Sequence, residues 1–542
     1  MGVGELIKRN RAVISAFCVG VSQWVMLTVS GLDKLFFVGT PEISQALVWG
    51  TKALSLLMLG SFWGFMAYAA LKVRAHDSVW MRGTAIFFVY LAFQSVILLI
   101  LWPGTWAWDD IAGFIHAETY HLEPWQHLIT SVLYICCAHI FPYPGGYVLI
   151  ANLMIALCVA GSITLAEEKL NLKRIKNPGV DIVLKLIPFS MPPIILYQFG
   201  GYRIGLLMYL ELLTLVLIAA FLKNKYCSKG VLFFFAFLLA IVAEWRSENI
   251  ICLPLGMIAI LLLRGNALKE RIAALALCVV LFGGVHRAQK QLMGGGYQYS
   301  IMSTMLPAVE LMKHADPIKD QEEIRKMSSI ISPELVYDNP DADGNLIWSL
   351  GKIHEIEIDK EMYDRYMDGL IRLALKHPTI ILNERMKMFM GAAGLYGPDI
   401  QVSLVRYTVH LADEEYPNEW FVALRERNWS GSTPVFPGFR KQFIYCLGQQ
   451  NLNGIATPLF YVYWNALIPI AVLIIGAIVA MLKRNGVLLA IIGFLLLKTC
   501  VIILAEPGTL FMYYLPQYMA GYLLLSWGIV MIIGRKEKSR GA

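Results

Sequence analysis

Charge is what this sequence has least of. Asp, Glu, Lys and Arg make up 16% of the 542 residues, and 57% are hydrophobic. A soluble domain carries about 25% charged and about 45–50% apolar residues. That shortage, with a mean hydropathy of +0.58, excludes an ordinary water-soluble domain and points to a polytopic membrane protein. The formal net charge of +7 makes no case for nucleic-acid binding, because the basic residues sit in short loops between apolar runs. Organised cysteine is missing too. Eight of the nine Cys lie in or beside apolar runs and only Cys446 lies in a polar region, so neither a disulfide framework nor a zinc spacing follows. No serine nucleophile elbow, phosphate loop or His-Glu-x-x-His pattern occurs. Gly294-Gly-Gly296 has no strand before it and no Gly-Lys-Ser/Thr after it. Lys8, Arg9 and Arg11 precede an apolar run without a small-residue cleavage site, which does not suit a removable signal peptide.

What is abundant is long apolar runs. A helix needs about 20 apolar residues to cross about 30 Å of hydrocarbon. Thirteen segments qualify: 12–29, 46–72, 82–102, 126–142, 147–166, 181–199, 203–222, 230–245, 248–264, 271–287, 456–481, 487–505 and 509–533. Cytoplasmic loops are rich in Lys and Arg. Lys8–Arg11, Arg535–Arg540 and the loops Lys72–Arg82, Glu167–Lys176, Lys223–Lys229, Arg264–Arg271 and Lys483–Arg484 are the basic ones. Both ends inside requires an even number of spans. All these loops fall inside if 126–142 does not cross; it is the shortest run, holds His127 and His139, and ends in Phe141-Pro-Tyr-Pro-Gly-Gly146. The expectation is an all-α polytopic protein of about twelve transmembrane helices in a bacterial cytoplasmic membrane, with both termini cytoplasmic. Nine spans fall in 1–287 with an outer loop at 103–146, an extracytoplasmic and mainly helical domain occupies 288–455, and the last three spans fall in 456–542.

That topology gathers the unusual polar residues on one side. Asp109 and Asp110, Gly200-Gly-Tyr-Arg203, Glu244-Trp-Arg246-Ser-Glu248-Asn249 and Glu506-Pro-Gly508 all fall outside. Charges at the ends of membrane helices are costly to bury and often functional. The outer region reads as folded: Tyr363, Tyr366, Leu370 and Leu373 recur at helical intervals, and Pro378 interrupts that helix. Val336–Asn345 superficially suggests a calcium loop, but a frame starting at Asn339 puts Leu350 where the bidentate Glu belongs, so it reads as a turn. Asn428-Trp-Ser430 is a glycosylation sequon. His116, Glu118, His121 and His127 cluster in the outer loop without a common metal-ligand spacing, so no metal ligand is assigned, although a divalent cofactor is left open.

The stretch Trp102-Pro-Gly-Thr-Trp106-Ala-Trp108-Asp109-Asp110 carries the chemistry. Tryptophan marks the membrane interface. A paired acid there either starts a short surface helix, stabilised by the helix dipole, or supplies a general base. The order Pro103-Gly104, Trp108-Asp109, then Trp125-Gln-His127-Leu-Ile-Thr-Ser opening an apolar run, resembles bacterial glycosyltransferases of the GT-C superfamily. The resemblance covers roughly 82–265. It implies a membrane enzyme that takes a sugar from a polyprenyl-phosphate carrier on the outer face and gives it to a glycan, lipid or protein acceptor. The family's acid maps onto Asp109, with Asp110 beside it, and its His onto His127; the Pro that often follows that His is Leu128 here. A second family acid would fall near Gly201-Tyr-Arg203, where an arginine stands instead. Arg246 and Arg203 would hold the donor phosphate. His127, Trp108 and Glu248 would support, with Glu248 orienting Arg246 only across an unwound link. Competing readings are an O-antigen-ligase-like enzyme working through arginines on a lipid pyrophosphate, and a transporter without covalent chemistry. No internal repeat relates the two halves, as many transporter folds would require.

Overall fold

The computed structural model describes residues 11–39, 43–106, 108–293, 297–395, 433–449 and 456–540, the side chains of 108, 109, 299 and 536–540 excepted. Gly294-Gly-Gly296 and the Asn428 sequon lie outside them. Among the described residues helix is the only regular structure, with no strand beyond an isolated bridge between Thr105 and Gly200. The first helices are α1 (Arg11–Val29), α2 (Gln45–Arg74), α3 (Ser78–Leu101), α4 (Trp108–Ala117), α5 (Leu128–Ile140) and α6 (Pro144–Lys169). Then come α7 (Pro178–Leu186), α8 (Pro192–Gln198), α9 (Arg203–Asn224), α10 (Lys229–Trp245), α11 (Cys252–Leu261) and α12 (Leu268–Leu292). Their starts are written locally. Asp77 caps α3 by accepting from the Val79 and Trp80 amides, Asn177 caps α7 through those of Gly179 and Val180, and Ser228 caps α10 through that of Val231. Each satisfies backbone donors that a helix start leaves orphaned.

Among the described residues, eight helices are long and apolar enough to cross a membrane, nine if the pair Pro178–Ser190 and Pro192–Gln198, bent by 72°, is one span. The protein is therefore multi-pass. The finer count of twelve depends on α10, α11 and α12. α10 has 17 residues and α11 has 10, and α12 carries charges at both ends. Segment 126–142 contains only the 13-residue α5, about 20 Å long at 1.5 Å per residue.

The basic loops converge at one end of the bundle. There Glu167 at the end of α6 accepts from Arg82 at 2.9 Å, from Lys185 at 2.6 Å and from Arg174 at 2.6 Å. Asp181 in α7 takes Lys185 at 2.9 Å and also contacts Arg82. Asn224 reaches the Lys169 carbonyl, Gly265 donates to the Lys225 carbonyl at 2.9 Å, and the Lys173 amide meets Met531. Deeper in the bundle, Lys498 and Glu211 form an isolated buried pair at 2.7 Å, the usual way of keeping charge among apolar helices.

The polar region builds its own core from α13 (Gln298–His314), α14 (Gln321–Met327), α15 (Pro333–Asp338), α16 (Gly344–Leu350) and α17 (Lys360–Lys376). Tyr366, Leu370 and Leu373 are buried in it, as their spacing requires. Pro378 opens a new helix, α18 (Pro378–Ala392), and Asp343 caps α16 rather than heading a calcium loop. The described chain closes with α19 (Pro437–Leu447), α20 (Leu467–Leu482), α21 (Gly486–Ala505) and α22 (Leu515–Arg540). Arg440 of α19 is wholly buried and donates to the carbonyls of Leu101 and Gly104, the former at 3.0 Å. Burial pulls its pKa down to about 9, so it remains a cation on the carbonyl end of α3, where the helix dipole favours one.

Candidate functional site

At the end of the bundle opposite the basic loops, a cavity of about 580 Å³ opens between four connections and the polar region. Its wall includes Gln126, His127, Arg203, Arg246, Glu248, Gln289, Glu506 and Tyr513. The sequence separates these residues by hundreds of positions, and a few backbone contacts bring them together. Thr105 donates its amide to the Phe199 carbonyl at 2.8 Å and its hydroxyl to the Leu196 carbonyl at 2.7 Å. This stitches the outer loop to the segment before α9. The fit is close enough to demand glycine: a Cβ on Gly201 would stand 2.5 Å from the Trp106 ring and 2.7 Å from the Asp110 Cβ.

Arg203 is the first residue of α9 and donates to the Gln126 carbonyl at 3.0 Å. Gln289 ties α12 to the same loop, donating to the Pro124 carbonyl at 3.0 Å and accepting from the Leu128 amide at 2.7 Å. Arg246 follows α10 in an extended conformation (φ −141°, ψ 136°), and a 3-10 turn over Ser247–Ile251 follows it. The unwound link lets the Arg246 guanidinium meet the Glu248 carboxylate, two residues on, which a continuous α-helix would point away. The guanidinium also lies 5.1 Å from the centroid of the Tyr513 ring, a cation–π distance.

His127 stands at φ 75° as the cap of α5, its Nδ1 accepting from the Ile129 amide at 3.3 Å. That bond places the ring proton on Nε2, 3.7 Å from Glu244, which also holds His286 at 3.0 Å. Burial pulls the His127 pKa down while Glu244 raises it, and the net direction is down. The imidazole is therefore a neutral donor in the cavity wall.

Asp110 is wholly buried, near Tyr134, Tyr147 and Tyr197, and sits behind Gly201 rather than in the wall. The backbone of α4 starts at Trp108, while the Trp108 ring and the Asp109 carboxylate lie outside the described side chains. The site thus brings Arg203, Arg246, Glu248 and His127 together and leaves Asp110 one layer back.

The expected histidine cluster is rearranged. His116, His121 and Glu123 place one ligand atom each within 4.8 Å of one another. Tyr120 at φ 56° reverses the chain so that His121 folds back onto His116, and His116 Nδ1 lies 2.7 Å from Glu123. That hydrogen bond, outweighing burial, holds the Glu123 pKa below its usual value. Glu118 is buried elsewhere and His127 faces the cavity. The set of two imidazoles and a carboxylate could bind a divalent ion once the side chains closed to bonding distance.

Sequence reasoning gave no role to Glu506, Tyr513 or Gln289. The sequence signals for Glu506 are its place where an apolar run stops and its fall on the same outer side as Asp109, Arg203 and Arg246. Its Oε2 accepts from the Tyr514 hydroxyl at 2.9 Å, and its backbone carbonyl accepts from Arg385 at 2.7 Å. Burial pushes the carboxyl pKa up to about 8 against the opposing influence of Tyr514 and Arg385, with Glu384 adding to the rise. Chemically, the cavity offers two guanidiniums, a neutral imidazole donor and a carboxylic acid to one ligand, a set suited to an anion with several oxygens. No family model, curated protein or solved structure matches the chain.

Proposed function

We propose that this protein is a GT-C-like membrane glycosyltransferase with twelve spans, acting on the outer face of a bacterial cytoplasmic membrane. In this reading a sugar moves from a polyprenyl-phosphate carrier to a hydroxyl of a glycan, lipid or protein acceptor. The observation that carries it is the convergence of Arg203 and Arg246 on one cavity walled by the loop that follows Asp109 and Asp110. The acceptor oxygen attacks the anomeric carbon, its proton passes to Asp109, and the glycosidic electron pair leaves with the lipid phosphate. The anomeric configuration inverts. Arg203 and Arg246 hold the phosphate as charge develops, through charge-assisted hydrogen bonds that Arg forms as a planar fork. Glu248 and Tyr513 fix where the Arg246 fork points. His127, neutral and hydrogen-bonded through Nδ1, offers its Nε2 proton toward the cavity and Glu244.

One observation favours a second reading. Asp110 is not part of the cavity wall, whereas both arginines and His127 are, the set an O-antigen-ligase-like enzyme would use on a lipid pyrophosphate. One experiment tests both: membranes holding the protein receive a panel of polyprenyl-phosphate and polyprenyl-pyrophosphate sugars, and sugar transfer and lipid release are followed. Turnover of the monophosphate donors supports the first reading, and turnover of pyrophosphate donors alone supports the second. Turnover of neither would leave both without support.

A further inference from the structure

Building on that reading, we propose that Glu506 is a proton-gated ligand of the cavity. As a carboxylic acid it donates its hydrogen to a phosphate oxygen of a ligand held by Arg203 and Arg246; as a carboxylate it repels that ligand. The side chain is held in place and Glu506 lines the cavity. Tyr514 occupies Oε2, Arg385 pins the backbone carbonyl, and Oε1 is buried with no hydrogen-bond partner among the described residues. Glu506 as a whole is 2% exposed.

No cation is dedicated to it among the described residues. Arg385, from α18, has its Nε 2.9 Å from Glu384 and gives another nitrogen to the Glu506 carbonyl rather than to the carboxylate. Arg246 is paired with Glu248, and Arg203 donates to Gln126. The other titratable groups nearby, Tyr513, Tyr514 and Glu384, supply no positive charge. An ionised carboxylate in such a place is strongly disfavoured. A neutral carboxyl, by contrast, keeps one O–H to give. Hydrogen bonds of the O–H···O⁻ kind are short and strong. Glu248, bound to Arg246, is not placed to serve in this way.

The ligand chemistry is a phosphate oxygen, whether on a lipid or on a free anion. The test measures farnesyl phosphate and, separately, inorganic phosphate binding to the protein in lipid nanodiscs, for wild type, Glu506→Gln and Arg246→Ala, at pH values from below to above the Glu506 midpoint. The second ionisation of a phosphate monoester is centred near pH ~6 and that of inorganic phosphate lies higher but still below the Glu506 midpoint, so changes above that midpoint belong to the protein. Wild-type affinity for farnesyl phosphate should fall about tenfold per pH unit above the midpoint, because only the protonated form binds. Glu506→Gln, whose amide still donates but does not titrate, should lose that dependence. Arg246→Ala should weaken binding about equally at every pH. Equal pH dependence for inorganic phosphate at the same affinity would keep the gate and assign it to a free anion. A flat wild-type curve, or a Glu506→Gln curve matching a falling wild-type one, overturns the proposal and leaves the phosphate cavity standing. Failure of the wild type to bind either probe at any pH overturns both. If the glutamine variant does not fold, Glu506→Asp takes its place: a shifted midpoint supports the gate, and an unshifted one overturns it.

Discussion

The two ends of the helix bundle use charge in opposite ways. At the basic end, Glu167 and Asp181 are shared among Arg82, Arg174 and Lys185, and the cluster is closed. At the cavity end, Arg203 and Arg246 are each held by a single described polar contact and face open space beside a buried carboxyl. A saturated cluster locks helices together, since removing one member strands the others. A partly satisfied one leaves hydrogen-bonding capacity for a ligand. The difference teaches which charges to remove to lose the fold and which to lose the function.

The comparison breaks most severely at the proposed base. Asp109→Asn should slow sugar transfer by about 10²–10⁴-fold, the usual worth of general-base catalysis, with donor binding nearly intact; Asp110→Asn should be milder. Single-turnover transfer with parallel donor titration checks this, and equal small losses in both variants would hand the mechanism to the arginines.

At the other end, Glu167→Ala should cost the fold about 3–5 kcal/mol, as breaking buried ion pairs does. The measurement is thermal unfolding in detergent and folded yield. A variant as stable as wild type would mean that the basic end is not a structural lock.

Arg246→Ala should weaken donor use by about 10–100-fold, from the loss of a charge-assisted contact worth about 1.5–3 kcal/mol; because it also leaves the Glu248 carboxylate without its partner, turnover is measured per folded protein. Arg246→Lys should recover part of this, since an ammonium lacks the planar fork. Wild-type turnover by both variants would reduce Arg246 to an interfacial anchor.

The last effect, small over any one pH unit, is a pH slope. The folded pKa of Glu506 is raised from 4.5 to about 8, so between those values the folded state holds a proton that the unfolded state has released. Stability should therefore fall as pH rises through that window and level off above it, by at most about 1.4 kcal/mol per pH unit. Glu506→Gln should remove this contribution, and unfolding midpoints of the two proteins across pH would show it. Identical slopes would mean that Glu506 ionises normally.

Apolar runs determine most of the helices, because a segment that must satisfy its backbone away from water has no other open-ended choice. Starts such as Asp77, Asn177 and Ser228 are equally local, since a cap needs only the next few amides. The amphipathic spacing of Tyr366, Leu370 and Leu373, and the new helix at Pro378, were legible for the same reason. What only the tertiary structure decided is which polar residues share a space. Whether Arg246 reaches Glu248 depends on an unwound link at the end of α10, and whether Asp110 reaches the cavity depends on Gly201 packing against Trp106. Glu506 reads in sequence as one of several polar residues at outer span ends, with no role of its own. Its carboxyl lies at the cavity because Arg385, 121 residues away, and Tyr514, eight away, fix its backbone and one oxygen, while no described cation pairs with the other. Periodicity and composition are properties of neighbours along the chain, whereas the desolvation that tunes an acid is set by everything packed around it.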